Sequence, residues 1–311
     1  MTVDAAIDLF DRCPSAVLLF NFFISTEGGA YYMKIIKYDS FFGRDVTRVL
    51  DAVPYSEKKE ISLLLDSFPE NGYISYSLGA PVGIACSDIT DGRIRANFHI
   101  FVLPAYRLRG AGTELFSHIY RHARNCGIHN LFCGVQSDGK NSLFAEKQGM
   151  KKKYSSDFMT FRGEATHGAE IFEKYSDSMF FDFVDAEGEA FLPVRIRTGA
   201  EPARLAPTQN VRSFLSRAAE DYFVLRRDGR IVAGAGCHRG EISDVFVSEP
   251  LRGQGIGRKL IERCIYHCGK KGYSPVFLNV VSDNYPAVSL YRSLGFVTEN
   301  TTDYYVKTVE K

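Results

Sequence analysis

The sequence predicts two tandem α/β (α+β) domains, each a twisted mixed β-sheet flanked by helices, on the strength of three observations. The chain has 311 residues, which at the usual ~100–200 residues per domain is enough for two compact cores. A succession of strand, glycine-rich turn, amphipathic helix and strand occurs twice. Arg107 and Arg252, like Gly127 and Gly272, lie 145 positions apart, far beyond the ~20–50-residue period of a solenoid, so the repeat is a duplicated domain. In each copy several short β-rich runs precede the helix, the order expected of a mixed sheet with helices against it. The domains are expected over 1–165 and 166–311.

In chain order, residues 16–24 form the first long apolar run. It falls short of the ~20 residues needed to cross a bilayer, and Asp4, Asp8 and Asp11 precede it where a secretory signal carries positive charge; a buried strand is expected. Residues 59–65 read as part of a helix, 73–76 and 81–86 as strands, and 94–102 as the strand entering the first glycine-rich turn. That turn, Val102-Leu-Pro-Ala-Tyr-Arg107-Leu-Arg-Gly110-Ala111-Gly112, opens into a helix with Leu115, Phe116, Ile119 and Ala123 on its apolar face. Gly127 closes the helix, and a strand follows at 131–135. His118 and His122 are an i, i+4 pair on this helix, but Ile119 stands where a metalloprotease helix requires Glu, so a solvent-facing pair is expected.

Residues 162–168, with Gly, Ala, Thr and His in succession, look like the join between domains. Phe180, Phe181, Phe183 and Phe191 suggest an extended hairpin over 177–195. Then come a helix at 210–219, strands at 222–225 and 231–237 joined by the turn Asp228-Gly229, and a strand at 242–247. Here the chain reads Val247-Ser-Glu-Pro-Leu-Arg252-Gly253-Gln254-Gly255-Ile256-Gly257-Arg258. This is a phosphate cradle: glycines admit an anion close to the backbone, unpaired amides project from the new helix N-terminus, and Arg252 adds a positive charge. The dinucleotide fingerprint would need a third glycine in register and a ribose-binding acid about 20 residues on. Leu260, Ile261, Cys264, Ile265 and Cys268 recur at helical spacing, Gly272 ends the helix, and 276–281 reads as a buried strand.

The Arg-x-x-Gly-x-Gly spacing resembles the pyrophosphate-binding motif of the GNAT superfamily of acyl-CoA-dependent N-acyltransferases. Asn284-Tyr-Pro-Ala287-Val-Ser-Leu-Tyr291-Arg-Ser-Leu-Gly295-Phe296 resembles the second signature of that superfamily, Asn-x-x-Ala-x-x-x-Tyr-x-x-x-Gly-Phe, at every named position. The resemblance covers about residues 45–160 and 200–311. It implies acetyl-CoA as co-substrate, held by Arg252, Gly253, Gln254, Gly255, Ile256, Gly257 and Arg258, with Asn284 beside the coenzyme arm. It also implies that a backbone amide among Val245, Phe246 and Val247 polarises the thioester carbonyl as an oxyanion-type donor.

Two proton transfers remain. Tyr291 is the candidate general acid, since a phenol of pKa about 10 stays neutral at working pH and can give its proton to a thiolate; the competing reading is a core aromatic between Leu290 and Leu294. Glu241, at the start of its strand, is the candidate base for the amine, directly or through a water. Asp244 is the alternative, and a solvated acid at a strand end the third reading.

Aligned on their Arg-x-x-Gly-x-Gly motifs, the copies place Ala96 opposite Glu241 and His99 opposite Asp244, and Ala145 falls where the tyrosine belongs. The first copy keeps a possible second coenzyme site in Val102, Arg107, Gly110, Ala111 and Gly112, and is expected to be non-catalytic.

With 38 basic and 37 acidic residues there is no global field toward nucleic acid or an anionic membrane, and neither is expected as a partner. Seven cysteines without tight paired spacing fit reduced thiols of a cytoplasmic protein. Cys264 and Cys268, one helical turn apart, read as core packing, and no metal is expected. The resulting expectation is a monomeric or homodimeric N-acetyltransferase of a small-molecule primary amine. The alternatives are a protein lysine or N-terminal amine acetyltransferase and a non-catalytic acyl-CoA-binding regulator.

Overall fold

A computed structural model describes residues 21–26, 29–137, 140–164, 170–200 and 203–310, and divides the chain into two compact units. Part of the first apolar run, 16–20, and most of the expected join, 165–168, lie outside the described residues. Among the described residues no helix is long and apolar enough to cross a membrane, and no group of three or more His, Cys, Asp or Glu is placed to hold a metal ion.

Unit 1 takes Met1–Cys133, Ala145–Lys151 and Val306–Lys311. Its elements are β1 (Asn21–Thr26), β2 (Gly29–Lys37), α1 (Gly43–Leu50), α2 (Tyr55–Ser67), β3 (Tyr73–Ser77), β4 (Ala80–Ser87), β5 (Arg95–Val102), α3 (Ala111–Asn125) and the start of β6 (Asn130–Gln136). The strands pair in sequence order, antiparallel as far as β5 and parallel from β5 to β6. Ile74, Ile84 and Phe101 sit directly across from one another on β3, β4 and β5, and pack with Val49 of α1 and Ile61 and Leu65 of α2. Phe98, three residues along β5 from Phe101 and so on the opposite face, meets Phe116 of α3 at 5.4 Å between ring centroids. The histidine pair on α3 is not solvent-facing. His122 Nε2 lies 2.8 Å from Oδ1 of buried Asn71, and the His118 ring lies 5.3 Å from that of Tyr73. Both imidazoles are therefore tied into the sheet side of the helix, where the sequence pattern alone shows only their spacing.

Unit 2 takes Gly134–Phe144 and Lys152–Tyr305. After α4 (Lys140–Lys147) come β7 (Lys151–Phe161), β8 (Glu173–Lys174), α5 (Phe180–Thr198), α6 (Gln209–Arg217), β9 (Tyr222–Arg227), β10 (Arg230–His238), β11 (Glu241–Val247), α7 (Ile256–Lys271), β12 (Phe277–Val281), α8 (Tyr285–Ser293) and β13 (Phe296–Thr308). The sheet order is β13-β7-β12-β11-β10-β9-β8, with β11 and β12 parallel and β7 antiparallel to β12. β7 precedes residue 165, yet its hydrogen-bonding partner β12 lies more than a hundred residues on, Leu278 facing Met159.

The segment expected as an extended hairpin is helix α5. Phe180, Phe183, Val184, Glu187 and Gly188 are buried, at a spacing of three and four that only a helix brings to one side. Phe181, part of the apparent alternation, is 62% exposed. Phe183 packs its ring against Tyr175, Tyr222 and Phe246 at centroid distances of 5.6, 5.8 and 5.7 Å. Strand β10 allows this closeness by having no side chain at two positions. A Cβ on Gly234 would come within 2.7 Å of the Phe246 ring, and one on Gly236 within 2.5 Å of the Tyr222 ring. Cys264 and Cys268 of α7 are fully buried beside Cys237, as expected for core packing.

This arrangement separates the two phenylalanines. Phe183→Ala should destabilise unit 2 by about 3–5 kcal/mol, the usual cost of emptying a buried aromatic site, and Phe181→Ala by less than about 0.5 kcal/mol. Urea denaturation of the two variants checks it; equal losses would mean that α5 does not bury the face described.

Candidate functional site

The second glycine-rich turn has the shape that its sequence demands. After Val247 a 3-10 turn (Glu249–Leu251) leads to Arg252, whose Nε donates to the Val247 carbonyl at 3.1 Å and pins the turn to the end of β11. Gly253 and Gly255 both have φ of +76°, in the left-handed region that favours glycine, and a Cβ on either would meet only open space. Gly255 caps α7 without any side-chain hydrogen bond, and buried Ile256 anchors the first turn of the helix. The amides of Gly255 to Arg258 thus lack intrahelical partners at the positive end of a 16-residue helix.

Two side chains expected in the cradle are used otherwise. Gln254 Nε2 donates back to the Pro250 carbonyl at 3.2 Å, and the Arg258 guanidinium donates to Ser293 Oγ at 2.5 Å. Both side chains are thus engaged within the protein, and what they present at the turn is backbone.

Strands β11 and β12 are paired at a single position, Glu241 with Phe277. Beyond it they part, so Phe246 and Val247 have ladder partners only on the β10 side. On that side the register also slips. Ala233 and Gly234 face Val247 and Phe246, whereas Gly236 faces Ser243, which leaves Asp244 and Val245 opposite the single residue Ala235. Asp244 takes up the bulge with φ of +50°. Its Oδ2 accepts hydrogen bonds from the Tyr222 hydroxyl at 2.6 Å and from Ser243 Oγ at 3.3 Å. Burial, then the Asp244 charge, pushes the Tyr222 phenol well above its usual range, so it remains a donor. Near this group, Glu187 of α5 is 1% exposed and forms a two-pronged pair with Arg195. Burial raises the Glu187 carboxyl, Arg195 opposes the rise, and the Asp244 charge adds to it.

The sequence-derived candidates fall in different settings. Glu241 is exposed at the closed end of the parted strands, across from His238 in the β10–β11 hairpin. Asn284 occupies the N-cap position of α8 with no capping bond from its side chain, while its carbonyl accepts from Val288 N at 2.9 Å. Tyr291 is 7% exposed on α8, in the apolar core with its ring 5.9 Å from that of Phe296. Burial, then the nearby Cys264, pushes its phenol up to about 12. Tyr222, Glu187 and Arg195 were not legible as site residues. Two of them lie in the helix whose pattern reads as a hairpin, and Tyr222 reads only as a core strand residue.

The first turn reproduces the second. Arg107 Nε donates to the Val102 carbonyl at 3.0 Å, Leu108 and Gly110 have φ of +60° and +91°, and α3 starts at buried Ala111 with no side-chain cap. Gly112 is the second residue of that helix, as Gly257 is of α7. Leu108, which stands where the second turn has Gly253, is fully exposed. Strands β5 and β6 pair over Arg95–Asn130, Ala96–Leu131 and Asn97–Phe132 and no further. Ala96 and Ala145 are both buried to within 1% and serve as packing.

Comparison with known proteins agrees with this geometry. The model of the acetyltransferase (GNAT) family matches residues 42–150 and again 177–296. A mycothiol acetyltransferase from Thermobifida fusca is 46% identical over 57 residues, 18% of this chain and 18% of that protein. One from a Nocardioides species is 38% identical over 64 residues, 21% of this chain and 22% of that protein. The match thus spans only about a fifth of these relatives' own length. Among solved structures, a GCN5-related N-acetyltransferase from Sphaerobacter thermophilus has a TM-score of 0.70 at 16% identity, covering 90% of this chain and 96% of its own. A tandem GNAT protein from the clavulanic acid biosynthesis pathway has a TM-score of 0.55 at 15% identity, covering 77% and 83%. At such identities the likeness is one of fold.

The uncapped turn yields a direct expectation. Gly255→Val forces a β-branched residue into the left-handed region and places its side chain on the open side of the amides, so affinity for acetyl-CoA should fall at least ~10-fold. Calorimetric titration, with circular dichroism to confirm the fold, is the check. Unchanged affinity at every site would remove the cradle assignment.

Proposed function

Because this chain belongs to the GNAT family of acetyltransferases, we propose that it transfers the acetyl group of acetyl-CoA to a primary amine of a small molecule by direct attack, with the chemistry in the second half. The observation that carries this reading is the pair of parted strands, β11 and β12, ending at a pinned turn whose helix amides have no protein partner. An extended coenzyme arm can take the ladder positions that β12 vacates, and its pyrophosphate the amides of Gly255, Ile256, Gly257 and Arg258 with Arg252 beside them. The backbone of Val245 to Val247 then lies along the thioester, where an amide can polarise the carbonyl. Asn284 lines the arm at the mouth of α8.

For the amine, Asp244 is better placed than Glu241. It lies on the parted stretch, three residues before Val247, and the Tyr222 hydroxyl orients one of its oxygens and leaves the other for the ammonium. Glu241 sits at the paired end and would act through a water. Tyr291 donates to the departing sulfur. Its pKa of about 12 keeps it protonated throughout the working range, at some loss of driving force toward a thiolate of pKa about 8.5. A small-molecule acceptor is favoured by relatives named mycothiol acetyltransferase. The first turn, with the same pin and the same uncapped helix, is read as a second acetyl-CoA site.

An amine-library screen that monitors free thiol released from acetyl-CoA tests the activity; no release with any amine would overturn it. With a substrate for which chemistry limits the rate, Tyr291→Phe should lower kcat about 10²-fold or more with little change in coenzyme affinity. Asp244→Asn should lower kcat about 10²-fold, and Glu241→Gln by less than ~10-fold; the reverse order would return the base to Glu241. Gly112→Glu puts a carboxylate where the second pyrophosphate would lie, so acetyl-CoA stoichiometry by calorimetry should fall from two toward one. A wild-type stoichiometry of one would leave the first turn without a ligand.

A further inference from the structure

We infer that the first half is a second acyl-transfer centre, in which His99, oriented by Glu60, accepts the proton of an incoming primary amine while acetyl-CoA lies on the first turn. The inference rests on the reading that the first turn holds acetyl-CoA, and it reverses the expectation, drawn from Ala96 and Ala145, that this half is inert.

His99 lies three residues before Val102, the residue whose carbonyl takes Arg107 Nε, just as Asp244 lies three before Val247 and its arginine pin. Pairing of β5 with β6 stops at Asn97 and Phe132, so His99 is on the parted stretch of its strand, as Asp244 is on that of β11. The β5 ladder has no bulge, so His99, across from Cys86, takes the step that Ser243 holds across from Gly236, and a titratable side chain thus stands next to the step of the favoured base on the parted stretch. Loss is confined to the positions of Glu241 and Tyr291, whose replacements are packed in the core.

The surroundings of His99 suit a base. Its Nε2 lies 3.6 Å from Glu60 Oε2 of α2, and its side chain is 24% exposed, so it is held on one side and reachable from the other. A carboxylate beside Nε2 favours the tautomer with the proton there, which leaves Nδ1 with the lone pair. Burial lowers the pKa of the imidazole against the opposing pull of Glu60 and Asp88, so it is neutral and able to accept a proton near pH 7. Asp88, at the end of β4, is occupied by the Asn97 amide and by Arg93. Cys86, directly across β4 from His99, is fully buried with its thiol pushed up to about 12 chiefly by burial, and does not compete for the proton.

The step balances without any further reactant. The ammonium gives one proton to His99, the neutral nitrogen attacks the thioester carbonyl, and the new C–N bond forms as the C–S bond breaks. The second proton on nitrogen goes to the departing sulfur to give free coenzyme thiol, and the imidazolium returns its proton to water.

The test uses the full chain carrying Gly257→Glu, which blocks the second turn. Thiol release from acetyl-CoA is followed with ethanolamine, glucosamine, spermidine, lysine amide and a lysine-containing peptide. Release above the blank should persist with at least one amine and fall at least ~10-fold when His99→Gln is added. Glu60→Gln should displace the pH profile of that residual release to more acid values, because the imidazole loses a carboxylate that favours its charged form. His99→Asp, which copies position 244, should keep more of the release than His99→Gln and serves where the latter fails to fold. Absence of release in the Gly257→Glu chain, or release indifferent to both substitutions at His99, overturns the inference. If the unmodified chain turns over an amine and Gly257→Glu abolishes it, only this inference fails; if the unmodified chain turns over none, the proposed function fails with it.

Discussion

Two parallel strands that start as neighbours and then separate leave a row of backbone donors and acceptors without a ladder, and the rest of each half is arranged around that deficit. In the second half the separation follows one residue pair, Glu241 with Phe277; in the first it follows three. Backbone groups turned away from water need partners, since an unmade buried hydrogen bond costs about 1–3 kcal/mol. A parted sheet is therefore stable only if water or an extended ligand reaches the opening. The arginine pin at the end of the strand, the left-handed turn and the uncapped helix all lie at the mouth of that opening, and the side chains that can act on a ligand project from the same strand.

Tyr291 illustrates how packing sets the acidity of a side chain. Its ring belongs to the apolar core of the second half, and that burial is what raises its phenol. Of the two readings that the sequence leaves open, the core aromatic is what the packing shows, and the proton donor is the role proposed for the same group. Asp244 shows the complementary device. A bulge that interrupts the ladder turns an acid out of strand register, and a tyrosine on β9, the next strand but one, fixes its oxygen.

Much of this was legible from residue order. The strands before each turn and the glycines 253 and 255 follow from local chemistry that operates within a few residues, and the duplication from the 145-residue offset; the arginines were read for their charge, and their hydrogen bonds to the strand ends come from the structure. What escaped depends on contacts between distant segments. Phe181 and Phe183 mimic a strand because two positions cannot separate a period of 2 from one of 3.6, and only the burial of Phe180, Val184 and Glu187 decides it. The pairing of β7 with β12 joins strands separated by over a hundred residues, and no pattern within either strand announces it. The partners Tyr222–Asp244 and Glu60–His99 are likewise 22 and 39 positions apart, so each looks like an isolated polar residue until the strands and helices are placed.

Leu108 has a consequence for recognising such turns elsewhere. A leucine held at φ of +60° is disfavoured by about 1–2 kcal/mol relative to right-handed backbone, yet the first turn keeps its shape with that residue where the second has glycine. The bend is imposed by what flanks it, the Arg107 side chain hooked onto the Val102 carbonyl and the start of α3, more than by the freedom of the residue inside it. Diverged copies of this turn can therefore shed a glycine and remain copies. A search pattern that demands glycine directly after the arginine will pass over them, whereas one anchored on the arginine and on the glycine that caps the helix will find them.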